Sequence, residues 1–168
     1  MGRLTGGRPG SERTGLATGD GPAPGAISLV VGFDDSASAR RALTWAANLL
    51  RGGRGTLHVI YADRVLIASD LPGFGRAAMD EDRDQKAAGV AAAAARIAAS
   101  AGVAHTFERR TQAPATAILL AASVRDAADP ASTPVIVTGR SRHPTRRVIA
   151  SVTGRLLRRS PYPLLTVS

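Results

Sequence analysis

The sequence predicts an α/β fold, a five-stranded and mainly parallel sheet with helices on both faces. Three observations carry this expectation. Short apolar runs alternate with longer stretches of helical periodicity, and strands that alternate with helices are joined by right-handed crossovers into a parallel sheet. The clearest runs, ISLVVGF from Ile27 to Phe33 and GTLHVIY from Gly55 to Tyr61, are nearly continuous, as in strands covered on both faces. Two runs also end in residues suited to a ligand, Gly32-Phe33-Asp34 and Thr138-Gly139. Ligands of such sheets bind beyond the carboxyl ends of the strands, where the strand order reverses.

The chain of 168 residues has the length of one domain with a real core. Aromatic residues make up 4% of it, so Val, Ile, Leu and Ala must build that core. Cysteine is absent, which excludes disulfides and thiolate metal sites and fits a reducing cytoplasm. No apolar run approaches the roughly 18 residues of a membrane span. The net charge is +9, and of 22 basic residues only Lys86 is lysine. Between Pro130 and Ser168 there are arginines but no acid. A solvated helix face is the expected role of these arginines, and nucleic-acid binding is a minor reading.

Taken in order, Met1 to Ala26 is rich in Gly, Pro, Thr and Arg and has no hydrophobic period. It is expected to be a flexible tail, with the domain occupying 27–168. After the first strand, Asp34-Asp35-Ser36 reads as a turn, with Ser36 as N-cap. Ala39, Ala42, Leu43, Ala46, Ala47, Leu49 and Leu50 follow at near-helical spacing, with Trp45 among them. Arg51-Gly52-Gly53 ends that helix. Gly55 to Tyr61 is the second strand, and Ala62 to Ala78 reads as an irregular loop. Met79 to Ala101 predicts a long helix, with Asp80, Glu81, Asp82 and Asp84 near its dipole's positive end. Gly102 breaks it. Val103 to Arg110 is a third strand, expected at an edge. Ala115 to Ala128 is a helix with Ile118, Leu119, Ala122 and Val124 as core contacts, and Pro114 stands at its start. Val135 to Thr138 is the fourth strand, Val148 to Arg159 the last helix and Leu164 to Val167 the final strand. Ser160-Pro161-Tyr162-Pro163 separates the last two.

The stretch from Thr138 to Thr153 is the one most suited to chemistry. It reads as strand, glycine-started loop and helix, and the unpaired N–H groups and dipole of a helix start favour phosphate. Gly139 would allow close backbone approach, or simply a tight turn. Ser151 and Thr153 offer hydroxyls. Asp34 suits ribose hydroxyls or an adenine amino group, and equally a capping turn. His58 and His105 lie in strands and read as structural, while His143 is in the loop. The histidines are not spaced as metal ligands. Neither a nucleophile elbow nor a Walker glycine loop is present, so dedicated catalysis is not expected.

These residues resemble the universal stress protein family. The resemblance covers roughly Ile27 to Val167. It rests on Val31-Gly32-Phe33-Asp34-Asp35-Ser36, on Leu57-His58-Val59, and on Val135 to Gly139 continued through Ala150-Ser151-Val152-Thr153 to Leu164-Leu165-Thr166-Val167. It implies an adenine-nucleotide alpha-hydrolase-like fold, related to the Rossmann type, with strand order 3-2-1-4-5. It further implies a cytoplasmic homodimer pairing the last strands, Leu164 to Val167, and a regulatory role in the stress response. ATP, with Mg²⁺ as a candidate companion, is the implied ligand, bound without rapid turnover. A nucleotide-free dimeric adaptor is the alternative, acting on protein partners through surfaces such as 62–78. The implied site residues are Gly32, Phe33, Asp34, Val59, Thr138, Gly139, Ser141, Arg142, Ala150, Ser151, Val152 and Thr153. The sequence departs from the family's phosphate motif, Gly-x-x-Gly-x9-Gly-Ser/Thr. Arg142 stands at the second glycine and Ala150 at the third, and the ten residues between Gly139 and Ala150 are two fewer than the pattern has. Arg140, Arg142, Arg146 and Arg147 are positioned in sequence to replace the lost backbone donors with charge-assisted bonds.

Overall fold

Successive side chains of a strand point to opposite faces, so a strand without polar interruption must be covered twice. The computed structural model shows this over the residues it describes, 26–53, 55–63, 73–140 and 152–168. The elements are β1 (Ile27–Gly32), α1 (Ala37–Leu50), β2 (Gly55–Ala62), α2 (Gly73–Ala101), β3 (His105–Arg110), α3 (Pro114–Ala128), β4 (Val135–Gly139), α4 (Val152–Arg159) and β5 (Leu164–Val167). The strands pair in the order β3-β2-β1-β4-β5 and are all parallel. Leu29, Val31, Leu57, Val59 and Val137 share one core with α1 and α2. Val30, Ile60 and Ile136 share the other with α3 and α4.

Local chemistry sets the element ends as expected. The Ser36 hydroxyl accepts the Ala39 N–H at 3.3 Å and caps α1. Gly52 and Gly102, both at φ 68°, turn the chain after α1 and α2 in the left-handed region that glycine tolerates. Pro114 opens α3, where its missing N–H costs nothing.

Several expectations need correction. Helix α2 begins at Gly73, and Ala62 belongs to β2, so the segment from Ala62 to Ala78 is not irregular throughout. Gly73 reads as a loop former, but it opens the helix, where the first N–H groups lack intrahelical partners anyway. Asp80, Glu81, Asp82 and Asp84 therefore lie beyond the first turn, out of reach of the dipole's positive end. Asp80 and Asp84 instead pair with Arg83 and Arg109. Strand β3 starts at His105 because the Val103 N–H is spent on the Ala98 carbonyl at 3.0 Å. Val124 is 51% exposed and is therefore not a core contact.

His58 is buried in β2. Its Nδ1 lies 2.8 Å from the Thr106 hydroxyl of β3 and its Nε2 lies 3.1 Å from the Thr56 hydroxyl. Removal from water, then the charge of Arg125, lowers its pKa from 6.5 to about 4, against an opposing pull from Glu108. In the unfolded chain the ring takes its proton near the ordinary value. Between the two values the unfolded state holds more protons, so stability falls as the pH falls. Urea unfolding of the wild type is expected to lose up to about 1.4 kcal/mol per pH unit in that window relative to His58→Gln. Parallel pH profiles of the two proteins would contradict this.

Candidate functional site

The chain runs from β1 to β2 to β3 on one side and then returns to place β4 beside β1, pairing Leu29 with Val135 and Val31 with Val137. The strand order reverses there, and the carboxyl ends of β1 and β4 stand side by side. Just past β1, the Phe33 N–H donates to the Ile60 carbonyl at 2.9 Å. Asp34 Oδ1 then accepts the Ser36 N–H at 3.1 Å. Asp35 follows at φ 65°, and its Oδ2 holds Arg40 at 2.8 Å in a bond that ties the turn to α1. Two acceptors remain. Asp34 is exposed, and its Oδ2 has no partner among the described residues. Asp35 Oδ1 is buried and likewise unpartnered among them.

On the β4 side, Thr138 is buried, and its hydroxyl lies 3.4 Å from that of Thr153 in α4. The described residues break off after Arg140 and resume at Val152, and this hydroxyl pair joins β4 to α4. The Arg140 N–H donates to the Val167 carbonyl at 2.7 Å.

Gly139 has a clear packing role. A Cβ there would collide with the backbone of Ser38, so the missing side chain lets the start of α1 press against β4. The side of Gly139 that lacks a Cβ is thus filled by α1. Gly32 similarly admits Ile118 of α3 against β1. Phe33 is 2% and Val59 0% exposed, and both side chains belong to the core shared with α1 and α2. They shape the floor under the turn and present no open surface. Val152 and Thr153 are half-buried in the first turn of α4, and Val152 packs on the core of α3. Ser141, Arg142, Ala150 and Ser151, with Arg146 and Arg147, lie outside the described residues, as do residues 1–25. The structure thus places Thr138, Gly139, Val152 and Thr153 about the end of β4, with Asp34 past the end of the neighbouring β1.

The family model described as "Universal stress protein family" matches residues 28–168. The chain belongs to the universal stress protein family. Solved structures agree with this universal stress protein in fold. One, a universal stress protein in complex with cAMP, is 19% identical with a TM-score of 0.65, the match covering 84% of this chain and 97% of that one. A universal stress protein from Archaeoglobus fulgidus is 25% identical with a TM-score of 0.58, over 84% and 98% of the two chains. A family member from Arabidopsis thaliana, with AMP bound, is 12% identical with a TM-score of 0.54, over 84% and 90%. No curated protein sequence matches this universal stress protein. The likeness supports an adenine-nucleotide alpha-hydrolase-like architecture with the observed strand order.

Sequence reasoning missed Asp63 and its partners. Asp63 follows β2 much as Asp34 follows β1, yet it is 8% exposed and is held by Arg83 and Arg109. Its place directly after a buried apolar run was a readable signal. The identity of its partners, 20 and 46 residues away, was not.

If Gly139 serves mainly to seat α1, Gly139→Ala should destabilise the fold by about 1–3 kcal/mol through overpacking against Ser38. Urea unfolding measures it, and an unchanged midpoint would contradict the assignment.

Proposed function

We propose that this universal stress protein is a cytoplasmic regulatory homodimer that binds an adenine nucleotide at the β1–β4 edge without rapid turnover. The observation that carries the reading is the reversal of strand order, which sets the turn of Asp34 past β1 beside the end of β4, where the Thr138 and Thr153 hydroxyls meet. The described residues fit the adenosine half of such a ligand. The free oxygen of Asp34 and the orphaned Oδ1 of Asp35 suit hydroxyl and amine donors. Phosphate would be met by the start of α4, by Ser151, and by Arg140, Arg142, Arg146 and Arg147. Relatives solved with cAMP and with AMP support an adenine ligand. ATP with Mg²⁺ is the larger form of the same class, and the residues between Gly139 and Val152 decide how many phosphates are taken.

A second surface supports the homodimer. Trp45, Leu49 and Ile27 are 37%, 48% and 43% exposed. They border a depression of about 330 Å³ with Leu165 of β5. An edge strand flanked by exposed apolar groups is stabilised by pairing with a copy of itself. The same surface favours the adaptor as the alternative reading, with partner binding and no nucleotide.

Calorimetric titration with AMP and ATP, the latter with and without Mg²⁺, separates the two. Micromolar affinity is expected, with Asp34→Ala weakening both ligands about tenfold, or ~1.4 kcal/mol. Ser151→Ala should weaken AMP more than adenosine. No heat up to millimolar nucleotide would leave the adaptor. Leu165→Arg should convert dimer to monomer in light scattering, and an unaltered mass would place the interface elsewhere.

A further inference from the structure

Asp63 is a carboxylate almost wholly removed from water at the carboxyl end of β2. Arg109 of β3 reaches its Oδ2 through Nε at 2.9 Å and through Nη2 as well. Arg83 of α2 reaches Oδ1 through Nε at 3.4 Å and Oδ2 through Nη2 at 3.0 Å. The two guanidiniums continue outward, Arg109 to Asp84 and Arg83 to Asp80 at 3.5 Å. Burial alone would raise the Asp63 carboxyl, but the hydrogen bonds from Arg109 and Arg83 outweigh it and hold the group below the usual carboxylate value. Exposed ion pairs contribute little, whereas removing one member of a buried set leaves an uncompensated charge. The cluster therefore fastens three elements, β2, β3 and α2, at one point.

That point adjoins the candidate site. The Asp63 N–H donates to the Arg110 carbonyl at 2.7 Å, and Ile60, just upstream in β2, accepts the Phe33 N–H at 2.9 Å. The end of β2 thus joins β3 on one side and the Asp34 turn on the other. The paired register ends with Gly32 opposite Ile60, three residues before Asp63. Helix α1, which the turn leads into, packs in the same core as α2.

We infer that Asp63 is a positioning residue for the nucleotide site: the Arg83–Asp63–Arg109 cluster fixes the end of β2 and so the turn that presents Asp34. This rests on the nucleotide reading above. A turn held in place before binding loses little freedom when a ligand arrives, and a loosened one must be ordered at the expense of affinity. The effect falls on the adenosine half, because the cluster lies on the β2 side of the turn, away from β4.

The test compares the wild type with Asp63→Asn, using Leu156→Ala, a truncation in the opposite core, as a control of general destabilisation. Arg109→Gln, which removes one of the two guanidiniums, serves if Asp63→Asn does not fold, with a smaller effect of about threefold expected. Hydrogen exchange is measured first, on the full chain without ligand. Exchange at the Ser36 and Ala39 amides should quicken in Asp63→Asn and not in Leu156→Ala. Equal rates in the two variants would overturn the inference whatever the nucleotide does. Adenosine and AMP are then titrated, and both should bind about tenfold more weakly to Asp63→Asn with their ratio kept. Unchanged affinity, or a loss confined to AMP, would reduce the cluster to a brace for stability alone. If the wild type binds neither ligand, the nucleotide reading fails, and the exchange comparison still decides whether Asp63 positions the turn.

Discussion

The pairing of β1 with β4 is the constraint on which the rest of this universal stress protein depends. It makes β1 central, so Val30 and Val31 are both wholly buried, one in each core. It also creates the reversal of strand order, and with it an edge where two strand ends meet without a connection crossing between them. The contact requires close packing above the sheet as well. α1 can lie against β4 only because Gly139 has no side chain to collide with Ser38. A residue that reads as a ligand feature is thus a packing feature first. The two roles are compatible, since the backbone of Gly139 still stands at the edge.

Charge is distributed around this frame in two ways. At the end of β2, Asp63 is enclosed by guanidiniums and forms a closed set in which little is left for solvent or ligand. Past β1, Asp34 and Asp35 are only partly used, each keeping one oxygen without a partner among the described residues. Neighbouring acids at the same edge therefore have opposite characters. A satisfied buried carboxylate rigidifies its surroundings, and an unsatisfied one invites a donor. That contrast supports assigning structure to Asp63 and recognition to the turn.

Much of the architecture was legible in the sequence because it follows from local chemistry. Continuous apolar runs marked strands covered on both sides. Ser36, Gly52, Gly102 and Pro114 act at element ends as their side chains, or lack of them, require. The start of α2 was misread because Gly73 marks both loops and helix entrances, and one sequence cannot separate the two. Val124 was misplaced because helical periodicity gives an apolar stripe without saying how wide a stripe the sheet will cover.

The sequence by itself determined the order of the elements, the double burial of the central strands and the placing of Asp34 and Thr138 at strand ends. These depend on residue type and short spacing, which fix backbone preference and hydrophobic pattern. Only the tertiary structure decided that Gly139 seats α1, that Val59 and Phe33 are floor and not wall, and that Asp63 is clasped by Arg83 and Arg109. Those outcomes depend on which groups meet across the sheet and between layers. Such meetings join residues far apart in the chain, and nothing in their local sequence encodes the partner.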